Sequence, residues 1–487
     1  MFKNINCKKL PSLRRNIVYQ FLYELLIVFI PLFTIPYVSR VLGAENIGLF
    51  SYTYAVANYF VLFANLGIKN YGSRTIAMVR NNKEELNRNF SEILSIHIIF
   101  SIIVIFVYLV LLFFFVEDNL VIFLIQSIYV FAAVFDINWF FFGIEKFKLT
   151  VGRNTLVKIL SVFLVFVFVK TQTDLWIYAL ILALSVFVGQ SVVWFALKQY
   201  VSWRRPSWAN MKQHIRPLFI LFLPILALSL YKYMDKIMLG SISSNVQVGF
   251  YENAEKIINV PMSLIMAFGV VLMPRIANMV TSKDKGEVFK LIDMSMEAVM
   301  LLAIAISFGL AGISFVLAPI FFGYEFEECG ILIMGLAVTV PFMAFANVIR
   351  TQYLIPYKED KIFVVSLFLG AAVNLIVNII LIPYMAARGA VIGTIFAEII
   401  VCIYQSYFVR KKIFVKKYLL NTIPPILIGI VMFVFVFQIG NVMNINIVTL
   451  ILQLVVGMFI YAVGVFLLML KSRTRLMVLL RKFVVRY

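Results

Sequence analysis

Histidine occurs twice and cysteine three times in 487 residues, and this scarcity removes several kinds of chemistry at once. Cys7, Cys329 and Cys402 share no motif spacing, so neither a disulfide framework nor a metal site is expected. Neither histidine is placed as a convincing catalytic base: His97 reads as a helix-end residue, and His214 falls in a predicted inner loop. The chain has no GxxxxGK[ST] nucleotide loop and no HExxH motif, which argues against ATP-driven transport by this chain alone. Charge is also short. Acidic and basic residues together make up 14% of the chain against 63% hydrophobic residues, with a mean hydropathy of +0.99, a balance that excludes an ordinary soluble protein. No loop between apolar runs reaches thirty residues, so any chemistry must be done by or between helices. No catalytic residue, metal or cofactor is therefore expected.

What is present is a succession of long apolar runs. A bilayer core takes about 20 mostly apolar residues per helix, and fourteen stretches meet that need: 16–38, 46–66, 92–115, 119–142, 151–169, 175–197, 217–239, 251–273, 294–318, 330–354, 361–383, 389–409, 417–437 and 446–470. The first is too long for a signal peptide and has no small-residue cleavage pattern, so it is read as a retained helix. Most of the 43 Lys and Arg fall in segments on the N-terminal side, whereas the opposite loops hold Arg40, Lys170 and Arg388. Lys158, Lys232, Lys236 and Lys256 fall inside spans. This bias predicts a multi-pass membrane protein with both termini cytoplasmic. It also accounts for most of the +20 net charge without nucleic acid as a partner. The final stretch "KSRTRLMVLLRKFVVRY" reads as a basic amphipathic segment on the inner leaflet.

One pattern is written twice. "IPYVSRVLGAENIGLFSYTY" (35–54) and "KYMDKIMLGSISSNVQVGFYENAEKI" (232–257) share a basic residue, Leu-Gly, a short polar link and an apolar-Gly-aromatic start. Arg40 aligns with Lys236, Gly48 with Gly249 and Arg74 with Arg275. The first and seventh spans are then equivalent, which predicts two six-helix lobes of like orientation around a central cavity. The expected division is 1–200 and 201–410 for the lobes, with the last two spans and the basic tail, 411–487, appended. The fold class is thus all-α, with fourteen transmembrane helices. The paired glycines read most simply as turn and packing residues.

Ionisable groups inside a membrane are costly and normally face a partner or a wet cavity. Lys232, Asp235 and Lys236 share a face of the seventh span, and Glu252, Glu255, Lys256 and Asn259 repeat the device on the eighth, so the two groups can pair across their hairpin. In the N-terminal half, Gln20 and Glu24 share a face of the first span. Gln126, Tyr129 and Asp136 line the fourth, and Asn154 and Lys158 the fifth. Thr394, Glu398, Cys402 and Gln405 form a stripe on the twelfth span, and Asn374 and Asn378 one on the eleventh. A structural alternative stays open for each: Lys232 and Lys256 as snorkelling or ion-paired residues, with Asp235 and Glu252 as partners.

The stretch from Ile35 to Ala77, "IPYVSRVLGAENIGLFSYTYAVANYFVLFANLGIKNYGSRTIA", resembles the first two helices and following loop of bacterial Wzx-type flippases, the polysaccharide-transporter branch of the MOP superfamily. "FGIEKFK" after the fourth span and "RGAVIGTIFAE" before the twelfth are similar to later landmarks of that family. The resemblance implies translocation of undecaprenyl-pyrophosphate-linked oligosaccharide units from inner to outer leaflet for capsule, O-antigen or exopolysaccharide. It implies as partners the lipid-linked substrate, membrane lipids, and a polysaccharide polymerase with its chain-length machinery. A pyrophosphate headgroup calls for cations, and Lys158, Lys232, Lys236 and Lys256 are the candidates, with Arg40, Arg74 and Arg275 at helix ends near the entrances. Glu24, Asp136, Asp235, Glu255 and Glu398 are the candidates for coupling or charge pairing. Tyr52, Tyr54, Tyr231 and Tyr251 are either packing aromatics or sugar-stacking ones. Two rival readings are a cation-coupled drug exporter of the MATE branch, which Glu24 keeps open, and a membrane polymerase or ligase of lipid-linked sugars, which the short outer loops disfavour.

Overall fold

The structure is a computed structural model that describes residues 13–281 and 285–471; the side chains of residues 13–29 and of a few helical positions, Tyr231 among them, fall outside the description. Cys7, Gln20 and Glu24 as side chains, and the amphipathic tail beyond Lys471, therefore lie outside the described residues. Regular structure among the described residues is helical throughout, as lipid requires of a chain that must satisfy its own backbone polar groups within each segment. Among the described residues, twelve helices are long and apolar enough to cross a membrane. They differ from the fourteen expected spans in two places. The first, Ile30–Val79, joins expected spans one and two across a kink at Gly43, where the turn between them was expected, and the helix over the fifth expected span, Phe147–Phe168, is not among the twelve.

The chain divides into two compact units. Unit 1 takes the described residues up to Leu42 together with Tyr52–Ser229. It contains most of α1 (Leu13–Asn65), then α2 (Ile68–Val79), α3 (Lys83–Phe115), α4 (Leu120–Val134), α5 (Asn138–Gly143), α6 (Phe147–Phe168), α7 (Leu175–Leu197) and the first part of α8 (Trp208–Ile242). Its core is aromatic at one end, where Phe90, Trp139, Phe140 and Phe141 are buried together and the Phe90 and Trp139 rings stack 5.6 Å apart. Asn82 starts α3 by accepting the N–H groups of Glu84 and Glu85 at 3.1 and 3.3 Å, and those two carboxylates sit at the positive end of the helix. The fourth expected span is not one helix. It breaks between α4 and α5, where Asp136 Oδ1 accepts the Asn138 N–H at 3.0 Å and its side-chain amide at 2.7 Å.

Unit 2 takes Gly43–Ser51 and the chain from Leu230 onward. Its helices are the rest of α8, α9 (Asn245–Thr281), α10 (Lys285–Phe322), α11 (Cys329–Ala337), α12 (Thr339–Ile349), α13 (Asp360–Met385), α14 (Ala387–Val409), α15 (Val415–Val442) and α16 (Ile447–Lys471), with a π-helical turn at Arg350–Leu354 after α12. The strap from 43 to 51 begins at Gly43, whose φ of 77° interrupts α1 in a region open to glycine without a Cβ clash. The Ala44 N–H beside this interruption donates to Glu325 Oε1 at 2.9 Å. The repeat then meets itself within unit 2. A Cβ on Gly48 would overlap the Asn245 carbonyl, and a Cβ on Gly249 would overlap the Ala44 carbonyl. The register that aligns Gly48 with Gly249 also aligns Ala44 with Asn245, so the contact is reciprocal, as two equivalent segments facing each other about a pseudo-twofold require.

Candidate functional site

In unit 2 the charged face of α8 is shared between two different neighbours. Lys236 is buried, and its ammonium lies 2.5 Å from Glu252 and 2.8 Å from Glu255, both on α9. Lys256 reaches back one turn to Glu252 at 3.1 Å. Two ammonium groups and two carboxylates thus form a closed, neutral cluster across the α8–α9 hairpin, the pairing expected from the sequence. Asp235 is one residue away and takes no part in it. Its carboxylate accepts the Tyr251 hydroxyl at 2.6 Å, the Thr394 hydroxyl at 3.0 Å and the Asn378 amide at 2.5 Å, and Asn374 supports Asn378 at 3.2 Å. The alternative in which Asp235 pairs with the neighbouring lysines is therefore corrected. Successive residues on a helix point about 100° apart, so Lys236 meets the carboxylates of α9 while Asp235 meets the Tyr251 hydroxyl of α9 together with α13 and α14. Lys232 is exposed, with its ammonium 5.4 Å from the centre of the Tyr233 ring. No carboxylate pairs with Lys232 among the described residues.

Unit 1 gathers polar groups around the break between α4 and α5. Asp136 sits in this bend rather than on a helical stripe, the second correction. Asn138, which it holds, accepts from Arg153 at 3.2 Å and lies 3.4 Å from Gln190, and Arg153 also donates to Asn154 at 3.1 Å. His97 is buried in the interior of α3, within electrostatic reach of Asp136, and is not a helix-end residue. His214 is likewise buried and helical, in α8, instead of lying in a loop. Its Nδ1 lies 2.6 Å from the Tyr71 hydroxyl, and its Nε2 2.9 Å from Glu92. Lys158, on α6, is exposed and has no carboxylate partner among the described residues.

Arg40 stands at a helix end, three residues before the kink that divides α1 at Gly43, whereas Arg74 in α2 and Arg275 in α9 lie within their helices; all three are exposed. Glu398 is buried on α14 within electrostatic reach of Arg350. Arg350 stands in the π-helical turn, bonded to Asn347 at 2.7 Å and over the Phe363 ring at 5.4 Å. Arg350 and Arg153 fall inside the expected spans 330–354 and 151–169 but within a few residues of their ends, where a cation is indistinguishable by sequence from the adjoining basic segment. Of the tyrosines, Tyr251 is committed to Asp235, while Tyr52 packs edge-on against Phe123 and Tyr54 against Tyr129.

A family described as "Polysaccharide biosynthesis protein" matches residues 13–280, more than half of the chain. The protein belongs to this family. The "Putative O-antigen transporter" of Shigella dysenteriae is 24% identical over 413 residues, covering 82% of this chain and all of that protein. The protein of the same name from Escherichia coli K12 is 26% identical, covering 84% and 99%. Among solved structures, "Lipid II flippase MurJ, inward closed conformation" superposes with a TM-score of 0.71 at 15% identity, over 93% of this chain and 98% of that one. An inward-facing MATE multidrug transporter of the MOP superfamily gives 0.64 at 14% identity over 82% and 98%.

Proposed function

We propose that this protein is a flippase that carries undecaprenyl-pyrophosphate-linked oligosaccharide units from the inner to the outer leaflet of a bacterial cytoplasmic membrane, for assembly of capsule, O-antigen or exopolysaccharide. The observation that carries this reading is the near full-length match to two O-antigen transporters; the MATE likeness is one of fold and fits the drug-export alternative less well. The reading takes the chain as fourteen spans with both termini cytoplasmic, in lobes of residues 1–200 and 201–410 with 411–487 appended. It takes the chain as a transporter without catalytic residues, delivering substrate to a polymerase.

Charge geometry sorts the candidate residues. An anionic headgroup reaching Lys236 or Lys256 must displace carboxylates already bonded to them, whereas Lys232 and Lys158 present exposed ammonium groups. We therefore assign first contact with the pyrophosphate to Lys232 and Lys158, with Arg40, Arg74 and Arg275 as further cations. Lys236, Lys256, Glu252 and Glu255 serve as a paired cluster that stiffens the α8–α9 hairpin. Asp235 is held by neutral hydroxyl and amide groups only, so its charge is open to a proton or small cation, and it is the coupling candidate of unit 2. Asp136, Glu398 and Glu24 are the remaining coupling candidates. Depletion of the protein is expected to make lipid-linked repeat units accumulate at the cytoplasmic face while surface polymer disappears. Normal polymer with increased drug sensitivity would favour the MATE reading instead, and outward-facing unpolymerised units would favour the polymerase.

A further inference from the structure

Unit 2 contains a cavity of about 840 Å³ between α10, α12, α14 and α15, a size within the range of about 300–1,000 Å³ usual for small-molecule sites. It exists because α15 makes its main contacts with α10 and α16 and stands off α14. On the α10 side Gly429 seats against the Phe308 ring, and on the α14 side the small residues Cys402 and Ser406 leave the gap open. The rest of the lining is mostly apolar, and the hydroxyls of Ser307 and Thr422 are spent on the carbonyls of Ala337 and Tyr418. Two cations line the cavity, and both stand at the end where α14 stops and α15 starts: Arg410 and Lys416. The Arg410 guanidinium lies 3.9 Å from the centre of the Tyr407 ring, a contact that orients it without neutralising it. Neither Arg410 nor Lys416 has a carboxylate partner among the described residues, while the adjacent Lys417 is bound to Asp293 at 2.8 Å.

An apolar trough with uncompensated positive charge at one mouth is complementary to an amphiphile with an anionic head. From Lys416 to Ile426, α15 rises about 15 Å at its usual pitch, and this is the depth of one leaflet of a hydrocarbon core about 30 Å thick. We propose that this groove is a binding site for a membrane phospholipid with an anionic headgroup, its phosphate held between Arg410 and Lys416 and an acyl chain lying along α14 and α15. Bulk lipid would wet any apolar face without regard to headgroup; the paired cations make this face selective. The site does not depend on the flippase reading.

The test is native mass spectrometry of the full-length protein titrated with phosphatidylglycerol or phosphatidylcholine. The wild type is expected to bind phosphatidylglycerol about thirtyfold more tightly, as two lysine or arginine contacts to an anionic head imply. Arg410→Gln with Lys416→Gln removes that preference. Lys411→Gln with Lys412→Gln, on side chains that do not line the groove, keeps it within about twofold. Ser406→Trp fills the trough with both cations intact and is expected to abolish retention of either lipid. Equal affinity of the wild type for the two lipids would overturn the proposal. So would undiminished selectivity in Ser406→Trp, which would locate binding in the basic loop alone. Displacement of phosphatidylglycerol by a polyprenyl phosphate at equal concentration would assign the groove to the transported lipid and overturn it as well.

Discussion

Lys236 and Asp235 are adjacent in sequence and serve different neighbours. Sequence alone made it legible that this stretch of helix carries charge at a depth where charge is costly, and that a hairpin partner on the next helix carries the complement. It did not make legible which residue meets which partner, because one residue's step along a helix turns the side chain by about 100° and the third and fourth helices that receive Asp235 lie over a hundred residues downstream. The consequence is a different expectation for each lysine. Lys236→Gln leaves Glu252 with Lys256 alone and Glu255 with no ammonium partner among the described residues, and breaking a buried pair from one side costs about 3–5 kcal/mol. Its thermal unfolding in detergent should therefore fall well below wild type, and adding Glu255→Gln should recover part of the loss. Lys232→Gln removes an exposed cation with no carboxylate partner and should leave unfolding unchanged. If Lys236→Gln unfolds like wild type, the cluster is not the structural element described here.

At the scale of elements, the apolar runs foretold where helices lie better than where they stop. Helix α8 extends from Trp208 to Ile242 where the apolar stretch covers 217–239, because amphipathic turns continue beyond the hydrocarbon layer and keep their backbone hydrogen bonds. Breaks inside an apolar run were invisible for the opposite reason: Asp136 ends α4 through a local hydrogen bond to Asn138 that hydropathy does not register. The glycines were legible as packing residues, but their mutual contact was not, since it joins two segments about two hundred residues apart. At Gly48 and Gly249 any Cβ meets a backbone carbonyl, which cannot rotate aside as a side chain can. Gly48→Val and Gly249→Val should each destabilise the protein by about 1–3 kcal/mol. Gly309→Ala, whose Cβ would meet nothing nearer than Met432 at 3.8 Å, should be neutral. Thermal unfolding of the three variants side by side checks this, and a Gly48→Val protein as stable as wild type would remove the reciprocal contact from the account.

For the whole molecule, composition sufficed to exclude a soluble protein, and the doubled motif picked out the two segments that meet through Gly48 and Gly249. The all-helical architecture and its likeness to MurJ and MATE proteins follow from the same constraint, since each long helix satisfies its own backbone in lipid. Function was legible only through family resemblance, because a transporter's substrate leaves no catalytic signature among its side chains. The most direct measurement is leaflet transfer in vesicles of the purified protein loaded with a pyrophosphate-linked oligosaccharide lipid. The account predicts protein-dependent transfer that falls about tenfold or more in Lys232→Gln, the loss expected from one charge-assisted contact to phosphate, with the variant equally abundant and equally stable. Transfer no faster than in protein-free vesicles, under either an applied membrane potential or an ion gradient, would contradict it.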